Sequence, residues 1–379
     1  MTARVWSRAI VALCVLTGPA AVTAQDSGAR ARQTYARAVE LETQGNQAAA
    51  LSLLWEAAGL APRDADIQNR LGEALERIGA LDAAVAAYRA ALSEQPTFRK
   101  ASNNLILALA KAGKGEEAVE RARALVAATP DDPDRYFTLG LAQSEQNVPD
   151  AIRSFRRALE LAPRHTLARY NLALVLNRAD RVPEAVEELQ RALAIEPRAE
   201  THYMLGVIYW HQGDLDHAAR ALQAAVASEP RYADAHNTLG AVLKARRDWD
   251  GAANALRRAL ALRPDPATHY TLAQVLQQVG DEAGARTHLA EAERLRQRGE
   301  QDRQASVWTS VGTQKLDGGD LAGALDLFRR ATSVRDDYAP AFYQMGRTLE
   351  RLGQREAARA AFARAERLNA SLVPPRDLP

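Results

Sequence analysis

Apolar residues recur along most of this chain at the spacing of one helix face, with small residues at fixed places among them. Within residues 201–264 a set of six residues appears twice, 34 residues apart. The first set is Leu205, Gly206, Ala218, Leu222, Ala225 and Pro230, and the second is Leu239, Gly240, Ala252, Leu256, Ala259 and Pro264. Helical periodicity alone would fix an apolar face, but not a glycine, two alanines and a proline. The pattern therefore predicts a repeated pair of helices in which proline ends the second helix.

Copies of this unit follow one another from residue 31 to near the end of the 379-residue chain. We number each repeat so that its leucine, Leu205 in repeat six, is position 7. Up to repeat eight the spacing is close to 34 residues, but Val311 of repeat nine lies 39 residues after Leu272. The extra residues fall in a charged stretch, 293–304, without a closing proline. The expected organisation is a signal peptide at 1–24, a linker at 25–30, eight repeats at 31–299, a break at 300–304, two further repeats at 305–372 and a tail at 373–379.

A 34-residue period with a leucine-glycine pair, two alanines and a closing proline resembles the tetratricopeptide repeat. The resemblance covers nearly all of the chain after residue 31. It implies an all-α fold, a right-handed α-solenoid (superhelix) of about ten helix-turn-helix units. It also implies that one face of each first helix lines a concave groove that binds protein or peptide segments of a partner.

The small residues have a physical role in such a unit. Positions 4, 7, 8 and 11 of the first helix share one face. A small residue at position 8 and an alanine at position 20 let the two helices approach closely. A bulky side chain at either position would cost roughly 1–3 kcal/mol by overpacking. Glycine near position 15, as in Gly213, suits the turn between the helices.

Positions 5, 9 and 12 lie on the opposite face of the first helix and supply the candidate binding residues. Amides at position 5 can bond a peptide backbone, and aromatic rings there supply contact area at a small entropic cost. The candidates are Asn69, Asn103, Leu107, Phe137, Leu141, Tyr170, Leu174, Tyr203, Val207, Trp210, Asn237, Tyr270 and Tyr343. The alternative is that the tyrosines among them only cover neighbouring helices.

Some relatives bind chaperone C-termini through a two-carboxylate clamp with lysine at position 5 and asparagine at position 9. Position 5 holds no lysine and position 9 no asparagine in any repeat of this sequence. The sequence therefore argues against an adaptor for chaperone tails.

The first residues of the chain do not follow the repeat pattern. Arg4 and Arg8 precede a short apolar run at 9–16, which is followed by a helix breaker and by small residues up to Ala24. This order is typical of a secretory signal peptide cleaved after about Ala24. The apolar run is too short to span a bilayer, which needs about 20 residues. We therefore expect a periplasmic or otherwise extracytoplasmic protein whose mature chain has no transmembrane segment; an uncleaved anchor is the alternative.

The charge balance excludes some classes of partner. The chain has 49 basic and 47 acidic residues, and removal of Arg4 and Arg8 with the signal peptide leaves 47 of each. A neutral chain lacks the basic surplus that binding to nucleic acid or to an acidic membrane requires. The only cysteine, Cys14, lies within the signal peptide, so the mature chain would have no disulfide and no cysteine metal site.

The histidines are the candidates for a metal site or a pH-sensitive site in this sequence. His202, His236 and His269 all occupy position 4 of successive repeats. Packed helices lie about 8–10 Å apart, whereas a metal needs ligands about 2 Å away, so successive histidines cannot share one ion. We interpret the row as semi-buried packing residues, with a pH-sensitive row as the alternative. His211 and His217 have no second ligand at a metal-binding spacing.

Motifs for chemistry are also absent from the sequence. It contains no phosphate-binding loop, no G-x-S-x-G, no H-E-x-x-H and no paired cysteines. Because the repeats leave no segment free to build a separate catalytic pocket, we expect no catalytic, cofactor or metal site.

The leading interpretation is an exported, non-enzymatic scaffold that binds partner proteins in bacterial envelope assembly or secretion. One alternative is the recognition subunit of a separate enzyme, such as a glycosyltransferase. A second alternative is a cytoplasmic adaptor whose N-terminus imitates a signal. The sequence alone leaves the oligomeric state unknown.

Export can be tested with a reporter enzyme that is active only outside the cytoplasm, fused after Ala24. We expect activity from this fusion because residues 1–24 have the layout of a cleaved signal. The same reporter without residues 1–24 is the control, and it should be inactive. Equal, low activity of the two fusions would contradict export.

Overall fold

The computed structural model describes residues 24–369, and their side chains from residue 27 onward. These residues form nineteen α-helices and no strand, which confirms the expected all-α fold. The helices are α1 (Ala24–Thr43), α2 (Gln47–Leu60), α3 (Ala65–Arg77), α4 (Leu81–Glu94), α5 (Arg99–Lys111), α6 (Gly115–Ala128), α7 (Pro133–Gln143), α8 (Val148–Leu161), α9 (Thr166–Arg178), α10 (Val182–Ile195), α11 (Ala199–His211), α12 (Leu215–Ser228), α13 (Ala233–Ala245), α14 (Trp249–Leu262), α15 (Pro266–Gln278), α16 (Glu282–Asp317), α17 (Leu321–Val334), α18 (Ala339–Arg351) and α19 (Arg355–Leu368).

The predicted signal peptide, apart from Ala24, and the predicted tail lie outside the described residues. The linker expected at 25–30 is corrected, because these residues belong to α1, which begins at Ala24. The segment contains no proline, and its one glycine, Gly28, is not enough to end a helix. Arg30 also ties this turn to α2, since its guanidinium lies 3.1 Å from the carboxylate of Glu56.

The described residues divide between Arg121 and Ala122 into two compact units, which we call the N-terminal and C-terminal units. The N-terminal unit contains α1 to α5 and the start of α6, and the C-terminal unit contains the remaining helices. Within each unit, consecutive helices pair as hairpins, for example α3 with α4 and α11 with α12. The second helix of one hairpin then packs on the first helix of the next, as α12 does on α13. The core of each unit is thus a row of hairpin interfaces.

The two helices of a hairpin approach closely where position 8 meets a large residue at position 24. A Cβ atom built on Gly72 would lie 2.5 Å from Cε1 of Tyr88, and one built on Gly206 would lie 2.6 Å from Cγ of Leu222. Tyr88 and Leu222 have no exposed surface, so neither can move aside into solvent. The close approach predicted from the small residue at position 8 is therefore confirmed.

The turn between the two helices needs a left-handed residue at position 15. Gly213 supplies it with φ of 78°. Asp180 and Arg247 hold the same position with φ of 58° and 62°, a conformation that costs a residue with a Cβ atom about 1–2 kcal/mol. The hairpin geometry is thus maintained even where the sequence has no glycine.

The longest helix, α16, joins the second helix of repeat eight to the first helix of repeat nine. It runs for 36 residues without interruption, and the break expected at 300–304 is therefore corrected. Residues 300–304 include neither glycine nor proline, and ion pairs one turn apart, such as Arg296 with Glu293, stabilise the helix around them. A charged stretch that suggested a linker is here the exposed middle of one helix.

Replacing Gly72 by alanine tests the close approach within a hairpin. The added Cβ would overlap the buried ring of Tyr88, so we expect the free energy of unfolding of the N-terminal unit to fall by about 1–3 kcal/mol. Denaturant unfolding followed by circular dichroism measures this change.

Gly59→Ala in the same unit is the matched control. Gly59 is also helical, but no atom lies within 4 Å of a Cβ built on it. Because alanine favours a helix over glycine, we expect Gly59→Ala to raise stability by up to about 1 kcal/mol. Equal effects of the two substitutions would contradict the packing argument.

Candidate partner-binding surface

The predicted groove residues of the C-terminal unit lie at the edge of the core. Those that are half-buried are Phe137, Leu141, Tyr170, Leu174, Tyr203, Val207, Trp210, Asn237 and Tyr343. Tyr270 is more open, with 53% of its surface exposed. Phe137 and Tyr170 pack against one core cluster, and Tyr203 and Trp210 pack against the next. These side chains are therefore held by the core while part of each remains accessible.

Three tyrosines from α9, α11 and the turn before α13 form what we call the tyrosine cluster: Tyr170, Tyr203 and Tyr232. The rings of Tyr203 and Tyr232 lie 5.1 Å apart at an angle of 47°. Burial raises the pKa of Tyr170, and the nearby carboxylate of Glu200 and the Tyr203 hydroxyl raise it further. Burial also raises the pKa of Tyr232, with Tyr203 and Tyr170 as the next causes. Tyr170 and Tyr232 therefore keep their hydroxyl protons at neutral pH and can donate hydrogen bonds.

Sequence reasoning missed Tyr232, because only the faces of the first helices were considered. Tyr232 lies in the turn between repeats, at position 34, and is the N-cap residue of α13. The same relation occurs in repeat four, where His165 at the end of the repeat packs on Phe137 with ring centroids 4.9 Å apart. The signal in the sequence is a pair of aromatic residues within one repeat, one at position 5 and one at position 34.

His165 is fixed in place by its own hydrogen bonds. Its Nδ1 atom accepts from the backbone N–H of Ala168 at 3.2 Å, which caps α9. Its Nε2 atom lies 3.3 Å from Oδ1 of Asp134. The ring that covers one side of Phe137 is therefore oriented by the turn, as the ring of Tyr232 is positioned beside Tyr203.

The corresponding face of the N-terminal unit is a network of paired charges. Asn69 is only 4% exposed, and its amide donates to Glu73 at 3.0 Å while accepting from Asn104 at 3.1 Å. Glu73 in turn pairs with Lys100 at 2.7 Å and with Arg70 at 3.0 Å. The assignment of Asn69 to a partner-binding surface is therefore corrected, because its hydrogen-bonding groups are already used inside the unit.

The other predicted amides differ from Asn69 in their surroundings. Asn237 is half-buried, and its Oδ1 atom accepts from the hydroxyl of Thr268 at 3.0 Å. Asn103 and Leu107 of α5 are half-buried as well. Their place on the binding surface stays a prediction.

The histidines at position 4 are all at least half-buried. His202 and His236 are half-buried, and Nε2 of His236 lies 3.1 Å from the carbonyl oxygen of Pro230. His269 is 9% exposed, and its Nδ1 atom lies 2.9 Å from Nδ1 of His288 in α16. His288 was not singled out from the sequence, because it occupies position 23, across the hairpin from position 4.

Burial lowers the pKa of both members of this pair. For His269, Glu291 and Asp265 oppose the effect. For His288, the charge of His269 adds to it. One ring can donate Nδ1–H to the other only if the Nδ1 atom of the other ring carries no proton. The contact therefore requires that at least one of the two rings be neutral.

No cluster of three or more His, Cys, Asp or Glu side chains in residues 24–369 has the geometry to hold a metal ion. In the same residues no helix combines the length and the apolar character needed to cross a membrane.

Helix hairpins repeated about every 34 residues, with half-buried aromatic residues at a repeated position, define a helical-repeat protein. Family models described as tetratricopeptide repeat match residues 35–98, 141–200 and 203–266, residues 79–144, and residues 339–372. The chain belongs to the tetratricopeptide repeat family. Proteins of this family bind peptides or other proteins.

Solved structures with this fold match parts of the chain. The crystal structure of MamA is 21% identical and covers 43% of this chain and 96% of its own, with a TM-score of 0.41. A tetratricopeptide repeat protein from Parabacteroides merdae is 18% identical, covering 65% of this chain and 99% of its own, with a TM-score of 0.48. A thermophilic protein of the family from Thermus thermophilus is 26% identical, covering 47% and 98%, with a TM-score of 0.43. No match is found among curated protein sequences.

The histidine pair predicts a loss of stability in mild acid. Unfolding releases His269 and His288 to an ordinary pKa near 6.5, so the unfolded chain binds more protons than the folded chain below that pH. Stability is therefore full above pH 7 and falls as the pH drops through about 6.5 toward the lowered pKa values. Urea unfolding at pH 7 and at pH 5 measures the loss.

The double substitution His269→Gln with His288→Gln should reduce the difference between the free energies of unfolding at pH 7 and pH 5, because it removes the two titrating rings. His211→Gln replaces an exposed histidine of the same unit and is the control, with an unchanged difference expected. A pH profile of the glutamine variant as steep as that of the wild type would contradict the assignment.

Proposed function

We propose that this chain is a non-enzymatic scaffold that binds an extended segment of a partner protein across the tyrosine cluster, after export to the periplasm. The observation that carries the proposal is the cluster itself: Tyr170 of repeat five lies together with Tyr203 and Tyr232 of repeat six, and all three are half-buried. The N-terminal sequence supports export, and the family supports the binding of peptides or proteins.

The geometry of the cluster suits a peptide. Tyrosine offers a large rigid contact surface whose ordering costs little entropy, and packing of Tyr203 on Tyr232 removes part of that cost before binding. Protonated hydroxyls, as in Tyr170, can donate to the carbonyl groups that an extended backbone presents. A segment with apolar side chains and unpaired backbone carbonyls fits these groups.

Binding is assigned to the C-terminal unit because the two units differ in chemistry on this face. In the N-terminal unit, Asn69 and Glu73 are hydrogen-bonded within the unit, so a partner would have to break existing pairs. In the C-terminal unit the predicted groove residues are mainly aromatic and aliphatic, so covering them removes apolar surface from water.

Replacing Tyr170 and Tyr203 by alanine tests the proposed surface. Peptides enriched on the whole chain from a random display library serve as ligands, and calorimetry measures their affinity. Because aromatic anchors dominate such interfaces, we expect affinity to fall by at least about tenfold in the double variant, about 1.4 kcal/mol.

Tyr136→Ala is the matched control. Tyr136 is also half-buried in the C-terminal unit, but at position 4, where the guanidinium of Arg157 lies 5.8 Å from its ring centroid. We expect full affinity from this variant and native helicity from both. Failure to enrich any peptide, or equal binding by wild type and the Tyr170/Tyr203 variant, would overturn the proposal.

A further inference from the structure

Position 5 of the first helix carries a hydrogen-bond donor in three consecutive repeats. Its residues in repeats six, seven and eight are Tyr203 in α11, Asn237 in α13 and Tyr270 in α15, which we call the donor row. Tyr203 and Asn237 are half-buried, and Tyr270 is 53% exposed. The Oδ1 atom of Asn237 accepts from the hydroxyl of Thr268 at 3.0 Å, so its N–H groups are not needed for that contact. The row therefore offers two phenol hydroxyls and one amide as donors.

The acceptors beside this row are already in use. Backbone carbonyl groups of the first helices are bonded within each helix. The nearest carboxylates to the tyrosine cluster are those of Glu200 and Asp234. Glu200 pairs with Arg198 at 3.4 Å, and Asp234 pairs with Arg263. A ligand N–H group would therefore compete with an existing ion pair, whereas a ligand carbonyl group finds a donor.

This imbalance selects among the backbone conformations that a partner segment can adopt. An α-helix bonds its own carbonyl groups internally, so the donors of the row would stay unused. An extended β-type segment brings as many N–H groups as carbonyl groups, and its N–H groups find no acceptor here. Proline has no N–H, and a polyproline II helix has no internal hydrogen bonds, so its carbonyl groups remain available. A proline-rich segment is the one that matches a surface of donors.

The spacing of the donor row fits the pitch of that helix. The first helices of these repeats touch in sequence, α11 with α13 and α13 with α15. Position 5 therefore recurs at about the 8–10 Å that separates packed helices. A polyproline II helix has three residues per turn and rises about 3.1 Å per residue, which gives about 9 Å per turn. Every third carbonyl group along such a segment can thus meet one member of the row.

Building on the proposed function, we propose that the partner segment is proline-rich and binds as a polyproline II helix along the donor row, with its proline rings against the tyrosine rings. Tyr203 is already packed on Tyr232, with ring centroids 5.1 Å apart, so little ordering of that ring remains for binding. The segment also loses little entropy, because proline fixes its backbone before binding. Aromatic-lined grooves recognise proline-rich segments through this preformed shape.

Labelled decaproline tests the inference on the whole chain, with fluorescence anisotropy as the measurement. The decamer of D-proline is the matched control, because it has the same composition and no N–H but forms a helix of the opposite hand. Its carbonyl groups would not meet the donors in the same register, so we expect the L-decamer to bind at least about tenfold more tightly. Equal binding of the two decamers, or no saturable binding of the L-decamer, would overturn the inference.

A hydroxyl deletion tests the donors separately from the rings. Tyr203→Phe combined with Tyr270→Phe removes two hydroxyl groups and keeps both aromatic surfaces. We expect the affinity for L-decaproline to fall by at least about fivefold, because loss of one hydrogen bond weakens binding by about two- to tenfold. Tyr136→Phe, at position 4 of the same unit, is the control and should bind as the wild type does. Unchanged affinity of the double variant, with native helicity by circular dichroism, would contradict the role of the row.

The display library described above separates this inference from the proposed function. We expect the enriched peptides to be rich in proline. Enriched peptides without proline that bind through Tyr170 and Tyr203, together with a failure of L-decaproline to bind, would overturn the inference and leave the proposed function standing. A library that yields no peptide, with no binding of L-decaproline, would overturn both.

Discussion

The contact on which this structure depends is a small residue on the first helix of a hairpin packed against a large buried residue on the second. Where the small residue is glycine, as at Gly72 and Gly206, the facing side chain lies where a Cβ atom would be. Close approach of the two backbones buries the alanine at position 20 and leaves no space for water. Each hairpin is thus determined by residues about sixteen apart in sequence, and the fold is built from local contacts that are repeated.

Each hairpin is stabilised through one face of its first helix. Residues on the opposite face are therefore less constrained by packing within the hairpin. The two units use that freedom differently. In the N-terminal unit, Glu73 gathers Arg70, Lys100 and Asn69 into a closed polar network. In the C-terminal unit, aromatic rings at positions 5 and 34 cover one another, as Tyr203 and Tyr232 do. One backbone scaffold therefore carries two surfaces of different chemistry.

The repeat pattern was sufficient to predict the hairpins, their order and the role of the small residues, because those features depend on local spacing. The candidate surface was predicted less completely. Asn69 was assigned by its position alone, but its exposure is decided by Asn104 of the next repeat, which periodicity within one helix does not include. Tyr232 was missed because it lies in a turn, and His288 because a pair across a hairpin joins two different faces. Such contacts depend on which side chains of different segments meet. The spacing of apolar residues along one helix does not specify these partners.

The middle of α16 has the composition of a linker and yet forms a helix. High charge and the absence of a closing proline are compatible with a flexible segment, and they are equally compatible with a helix exposed on most sides. Residues 300–304 contain no glycine or proline to end the helix, and the pairs of Glu293 with Arg296 and of Glu300 with Arg303 add a small stabilisation. A continuous helix then removes one repeat-to-repeat contact and leaves Val307 exposed, so an interruption of the repeat creates a new surface.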